Sequence, residues 1–138
     1  MLTKNDLQRL AEMRLEDANF LLQANKPSSA YYLAGYAVEL GLKAYISKLF
    51  QNNVIPDKSF VTAIYTHSLE SLMSISGLLP KLKADMKADP IFGSYWGIAT
   101  KWSESSRYEF WDSVSAATLI RAIIDNDHGV FPWVKKHW

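Results

Sequence analysis

Small residues recur along Ser28–Phe50 at alternating spacings of four and three: Ala30, Ala34, Ala37, Gly41 and Ala44. That period places them on one face of a helix. Leu33, Tyr36, Leu40, Leu42, Tyr45 and Ile46 occupy much of the remaining circumference. A helix that is apolar nearly all round belongs in an interior, so this segment is predicted to be the central helix. Its small-residue seam lets a neighbouring element approach the backbone closely. Ser28 or Ser29, just after the breaker Asn25-Lys26-Pro27, is expected to cap it.

The flanking segments also read as helices. Leu7, Leu10, Ala11, Met13, Ala18, Leu21 and Leu22 follow a three-four pattern behind Thr3-Lys4-Asn5-Asp6, which resembles a capping box. A helix is therefore predicted from Asn5 to Ala24, antiparallel to the central one across a short link. Gln51–Tyr65 is a connection, with a short helical turn at Phe60–Ile64. Thr66-His67-Ser68 opens a further helix with Leu69, Leu72, Met73 and Leu78 inward, ended by Gly77 and Pro80. Lys81–Ala88 reads as a short exposed helix. Asp89-Pro90 starts the next, as cap and first helical residue, with Phe92, Tyr95, Trp96, Ala99 and Trp102 forming an aromatic face. After Ser103–Ser106 a last long helix is expected from Glu109 to Asp125, lined by Val114, Ala117, Ile120, Ile123 and Ile124. Asn126 and Gly129 stop it, and Val130–Trp133 with Trp138 form a closing turn. No segment sustains a period of two. The fold class is all-α: an up-and-down bundle of four main helices plus short accessory ones, in a single domain covering residues 1–138.

Composition narrows the chemistry. The chain is 49% hydrophobic and 21% charged, with a net charge of +1, so no overall field drives it toward nucleic acid or membrane. It contains no cysteine and three scattered histidines, so neither a metal site nor a bound cofactor is expected. No phosphate-cradling glycine loop is present. No run of about 18 apolar residues occurs, and the charged N-terminal stretch has no secretory apolar core. A cytoplasmic protein without membrane association is expected.

Three pieces stand in order: Ala30-Tyr31-Tyr32-Leu33-Ala34-Gly35-Tyr36-Ala37-Val38-Glu39-Leu40-Gly41-Leu42-Lys43-Ala44, then Thr66-His67-Ser68-Leu69, then Ser106-Arg107-Tyr108. Over Leu7 to Asp125 this resembles the HEPN family, small helical domains common in bacterial toxin–antitoxin and phage-defence systems. The resemblance implies a four- or five-helix bundle, often a homodimer. Many members are metal-independent ribonucleases that use an Arg and, a turn or two further on, a His at the dimer interface. Others lack that pair and bind nucleotides, RNA or protein partners such as an antitoxin or a nucleotidyltransferase.

Arg107 stands where the family's Arg-Tyr element stands, but no His occurs in Tyr108–Val114. That departure counts against ribonuclease chemistry at Arg107. Arg121, followed by six residues and then His128, meets the spacing. On a continuous helix the two would share a face about 10 Å apart, the Arg stabilising phosphate charge and the His moving protons. The plainer reading is charge at a helix C-terminus. Arg107 and Tyr108 are candidates for binding phosphate or a partner carboxylate. The plainer reading of Arg107 is an ion pair with Glu109 or Glu39. Glu39 and Lys43, four apart on an apolar helix, are read as an ion pair or as the polar wall of a groove. His67 is expected to cap or pack, and His137 to face solvent. The reading that follows is a nucleotide/RNA-binding or protein-interaction module. The alternatives are a ribonuclease using Arg121 and His128, and a non-catalytic scaffold subunit.

Overall fold

The computed structural model describes residues 2–138, and among them every regular element is helical. There are eight α-helices and one 3-10 turn. They are α1 (Lys4–Gln23), α2 (Pro27–Ser47), α3 (Lys58–Ala63), α4 (Leu69–Ser76), α5 (Leu79–Ala88), α6 (Pro90–Ala99), the 3-10 turn Glu104–Tyr108, α7 (Ser113–Ile124) and α8 (Val130–Lys135). No helix among the described residues is long and apolar enough to cross a membrane.

α1 starts as its sequence dictates. The Thr3 hydroxyl accepts from the Asp6 amide and the Asp6 carboxylate accepts from the Thr3 amide, which satisfies two of the free donors of the first turn. Asn25, at φ 61°, turns the chain, and Pro27 opens α2. Ser68 caps α4, Gly77 ends it in the left-handed region at φ 78°, and Asp89 caps α6 by accepting from Ile91 and Phe92.

The interior position of α2 is plain from its burial. Ala30, Ala34, Ala37, Val38, Leu42 and Ala44 are fully buried. α1, α4, α7, α8 and the 3-10 turn all pack against it. The small-residue seam admits tryptophan as well as helices. The Trp102 ring lies directly on Gly35, where a Cβ would fall inside the indole. Its Nε1 donates to the Tyr32 carbonyl at 3.2 Å. One end of the chain repeats the arrangement: Trp138 Nε1 donates to the Gly41 carbonyl at 3.0 Å, and Val134 crowds the site of the missing Cβ.

Several expectations need correction. Neither Ser28 nor Ser29 caps α2, whose N-cap is Lys26 without a side-chain hydrogen bond. Ser28 is drawn into a tertiary contact instead. Its hydroxyl accepts from the Trp111 amide at 2.9 Å, while the Trp111 ring stacks on Tyr31 at 3.8 Å. α2 stops at Ser47 rather than Phe50. Pro80 opens α5 instead of ending α4, and Leu82 on α5 is buried against the bundle. The last long helix begins at Ser113, capped by Asp112, so Glu109 lies outside it. Its buried side is Ala116, Leu119, Ile120, Ala122 and Ile123, whereas Val114, Ala117 and Ile124 face outward. His137 is not free in solvent: it packs edge-on against Trp133 at 4.5 Å.

The Ser28 contact gives a test of how the chain after the 3-10 turn is anchored. Ser28→Ala is expected to lower the free energy of urea unfolding by about 1 kcal/mol, the usual worth of a half-buried hydrogen bond. Ser29→Ala, on an exposed residue, should change it by less than about 0.5 kcal/mol.

Candidate functional site

α2 carries one charged residue into the core. Glu39 is 1% exposed, and its Oε1 accepts from Lys43 Nζ at 2.9 Å and meets His67 Nδ1 at 2.7 Å. A carboxylate so deep must be paired. The i,i+4 spacing supplies Lys43 from the same helix, and the segment before α4 supplies His67. Oε2 of Glu39 is buried without a partner. The expected Glu39–Lys43 pair is therefore present. His67 ties α4 to α2 through that shared carboxylate, and its own ring is half exposed.

Arg107 lies in the 3-10 turn, exposed, and its Nη1 pairs with Glu104 Oε1 at 2.9 Å. The partner is neither Glu109 nor Glu39. The guanidinium also lies over the Tyr108 ring, 4.7 Å from its centroid, and that ring is itself exposed. Ser106, beside Arg107 in the turn, is buried with its hydroxyl unpartnered. Beyond the turn, Phe110 is fully exposed and Val114 largely so. Arg107, Tyr108, Phe110 and Val114 thus lie along one short exposed stretch leading into α7.

Arg121 and His128 are not on a shared helix, because α7 ends at Ile124. Arg121 is exposed on α7. His128 sits in the tight turn between α7 and α8, where its amide and that of Asp127 both donate to Asp125 Oδ1. Its Nδ1 bonds Asp89 Oδ2 at 2.7 Å, while the other oxygen of Asp89 caps α6. This clip fastens the α7–α8 turn to the start of α6. The hydrogen bond to Asp89 holds the His128 pKa above its usual value, and the bond from His128 holds that of Asp89 below. A cavity of about 330 Å³ opens beside it, lined by His128, His137, Lys81, Asp85, Asp127 and Trp133 among others, with Arg121 outside its wall. Burial, and next the charge of Lys81, push the His137 pKa down.

Three partners were missed by sequence reading, and one of them, His67, lies 28 residues from Glu39. Glu104, three residues before Arg107, was available to local spacing. Asp89 lies 39 residues from His128, so no local rule connects them. Among the described residues, no group of three or more His, Cys, Asp or Glu could hold a metal ion. No protein-family model, curated protein or solved structure matches the chain.

Two outcomes follow for these charge pairs. Lys43→Met leaves Glu39 buried with His67 alone, and is expected to cost about 3 kcal/mol, the low end for breaking a buried pair. Glu39→Gln keeps the shape and removes the charge, so it should cost less; chemical unfolding of both variants at neutral pH gives the order. For the clip, His128 contributes fully below its ordinary pKa of 6.5 and loses its contribution as pH rises through the raised folded value. Asp89 contributes fully above 3.8 and loses its contribution as pH falls through its lowered value. The stability gap between wild type and His128→Asn should therefore be widest between those two pH values and should narrow on either side.

Proposed function

We propose that this chain is a HEPN-like bundle, with α1, α2, α4 and α7 as its main helices, working as a non-catalytic protein-interaction module in a homodimer. A setting of the toxin–antitoxin or phage-defence kind, with an antitoxin or nucleotidyltransferase as further partner, follows from the same resemblance. The observation that carries the reading is the exposed stretch Arg107–Tyr108–Phe110–Val114. It joins bare aromatic and aliphatic side chains to an Arg whose charge is already engaged by Glu104. An Arg neutralised in that way is a poor phosphate anchor, which favours a protein partner over RNA or nucleotide. The exposed stretch into α7 carries both signs, Arg107 with Glu109 and Asp112, so two copies of it related by a two-fold axis can pair opposite charges. Exposed aromatic residues are also enriched in such contacts.

The ribonuclease reading has one observation in its favour. Asp89 fixes the His128 ring through Nδ1 and keeps it basic, as a proton-transfer residue needs. Arg121 does not line the cavity beside that ring, so the Arg half of the pair is wanting.

Light scattering at tens of micromolar is expected to give twice the 15.7 kDa chain mass. Phe110→Asp with Val114→Asp should give the single-chain mass without loss of helix content. A wild-type monomer contradicts the homodimer. Metal-free cleavage of RNA that is lost in Arg121→Ala and His128→Ala would replace the module reading with the ribonuclease one.

A further inference from the structure

A groove at the opposite end of α2 has a chemistry unlike the other cavities. It measures about 590 Å³ and lies between the first turn of α1, the last turns of α2 and the segment after α3. Its apolar wall is Ile46, Phe50, Ile64 and Tyr65, with Leu2 at the mouth, and its charged groups are Lys4 and Lys43. No carboxylate lines it. Four other cavities each have an Asp or Glu in the wall.

Of the two lysines, Lys4 is the one left without a counter-charge among the described residues. Lys4 is the first residue of α1, where the helix dipole disfavours a cation. It is partly buried and has no ion-pair partner among the described residues. Asp6, the acid of that turn, is held by the Thr3 amide and hydroxyl. Lys43 gives one of its three ammonium hydrogens to Glu39, and two remain. The Ser47 hydroxyl is spent on the Ala44 carbonyl and that of Thr3 on Asp6. Free side-chain donor capacity in the groove therefore rests with Lys4, Lys43 and the Tyr65 phenol.

The apolar surface continues past Phe50. Phe50 also lines a second cavity, of about 280 Å³, with Leu49, Val54, Ile55 and Phe60, and its ring lies 5.3 Å from that of Phe60. Six of the thirteen exposed large hydrophobic side chains among the described residues line these two cavities: Leu2, Leu49, Phe50, Val54, Ile55 and Tyr65. So one ammonium group without a counter-charge among the described residues, Lys4, and a second with spare hydrogens, Lys43, stand at one end of an elongated apolar trough.

We propose that this trough binds an amphipathic carboxylate, a small molecule with one anionic head and a hydrocarbon tail. The head sits between Lys4 and Lys43, and the tail runs over Ile46 and Phe50 toward Val54 and Ile55. A volume of this size falls within the usual range for small-ligand sites, which are mostly apolar with a few placed polar groups. Charge complementarity selects the head, and burial of exposed aliphatic and aromatic surface drives the tail. The site is separate from the Arg107–Val114 surface and does not depend on what that surface does.

The test is an amide NMR titration of the intact chain with sodium decanoate below its micellar concentration. Decyltrimethylammonium and acetate serve as head-group and tail controls. Saturable shifts are expected at Ile46, Phe50, Ile64 and Tyr65 with decanoate, with affinity at least about tenfold weaker for the cationic amphiphile and for acetate. Lys4→Glu is expected to weaken decanoate about tenfold or more, and Val54→Asp to weaken it while leaving acetate unaffected; neither side chain is fully buried, and thermal melts verify their folding. Equal binding of the two amphiphiles, unchanged affinity in Lys4→Glu, or shifts that never saturate would overturn the proposal. So would failure to bind decanoate, and either of two results would then name another occupant. One is a second copy, seen if Tyr65→Asp but not Val114→Asp abolishes dimers. The other is anionic vesicles that carry the chain down on sedimentation.

Discussion

The close seating of other elements on the α2 backbone is the constraint on which the rest of the structure depends. Alanine and glycine leave the α2 surface low, so that five elements reach it. Trp102 and Trp138 use the two glycine positions as seats and donate their indole hydrogens to carbonyls of the helix itself. Each ring thus gains apolar contact and satisfies its one donor in the same pose. The consequence reaches along the chain. Trp102 fixes the strand of chain between α6 and the 3-10 turn, which in turn sets where Arg107 and Tyr108 emerge. Trp138 folds the last turn of the chain back over the C-terminal half of α2, and Trp133 beside it stacks on Phe92 of α6.

Polar groups on this scaffold serve first as fasteners. Glu39 joins α2 to the entry of α4 through His67, Ser28 joins α2 to the approach to α7, and Asp89 joins α6 to the turn before α8. Each fastener lies where an apolar contact could not specify a unique geometry for an irregular segment. Two of the buried groups left without partners, Oε2 of Glu39 and Trp111 Nε1, belong to these same fasteners. They show that close packing there has been met ahead of full hydrogen bonding.

The central helix was legible in the sequence because its small residues kept helical spacing for four turns. The caps at Thr3 and Asp89 were legible because capping chemistry is local, whereas at α4 the capping role expected of His67 falls to Ser68. The seats were not: Gly35 and Trp102 lie far apart in the chain, and nothing in either neighbourhood announces the other. The face of α7 was misread for a different reason. Thr118 and Arg121 mark the outward side, opposite Ala116, Leu119 and Ile123, but Val114 and Ala117 share that outward side, and their apolar character drew the reading toward them. The Arg121–His128 spacing carried meaning only on an unbroken helix, and Asp125 ends α7 before His128 is reached. His128 then takes its partner from Asp89, across the fold, which no local rule could supply.

A double-mutant cycle between Gly35 and Trp102 tests the seating of α2 most directly, with stability read from urea unfolding. With Trp102 in place, Gly35→Ala should destabilise the fold by about 1–3 kcal/mol, because the added methyl overpacks the indole. In the background of Trp102→Ala the same substitution should instead stabilise by up to about 1 kcal/mol, the helix preference of alanine over glycine. Equal effects of Gly35→Ala in the two backgrounds would contradict the account, since they would mean that the ring and the glycine do not meet.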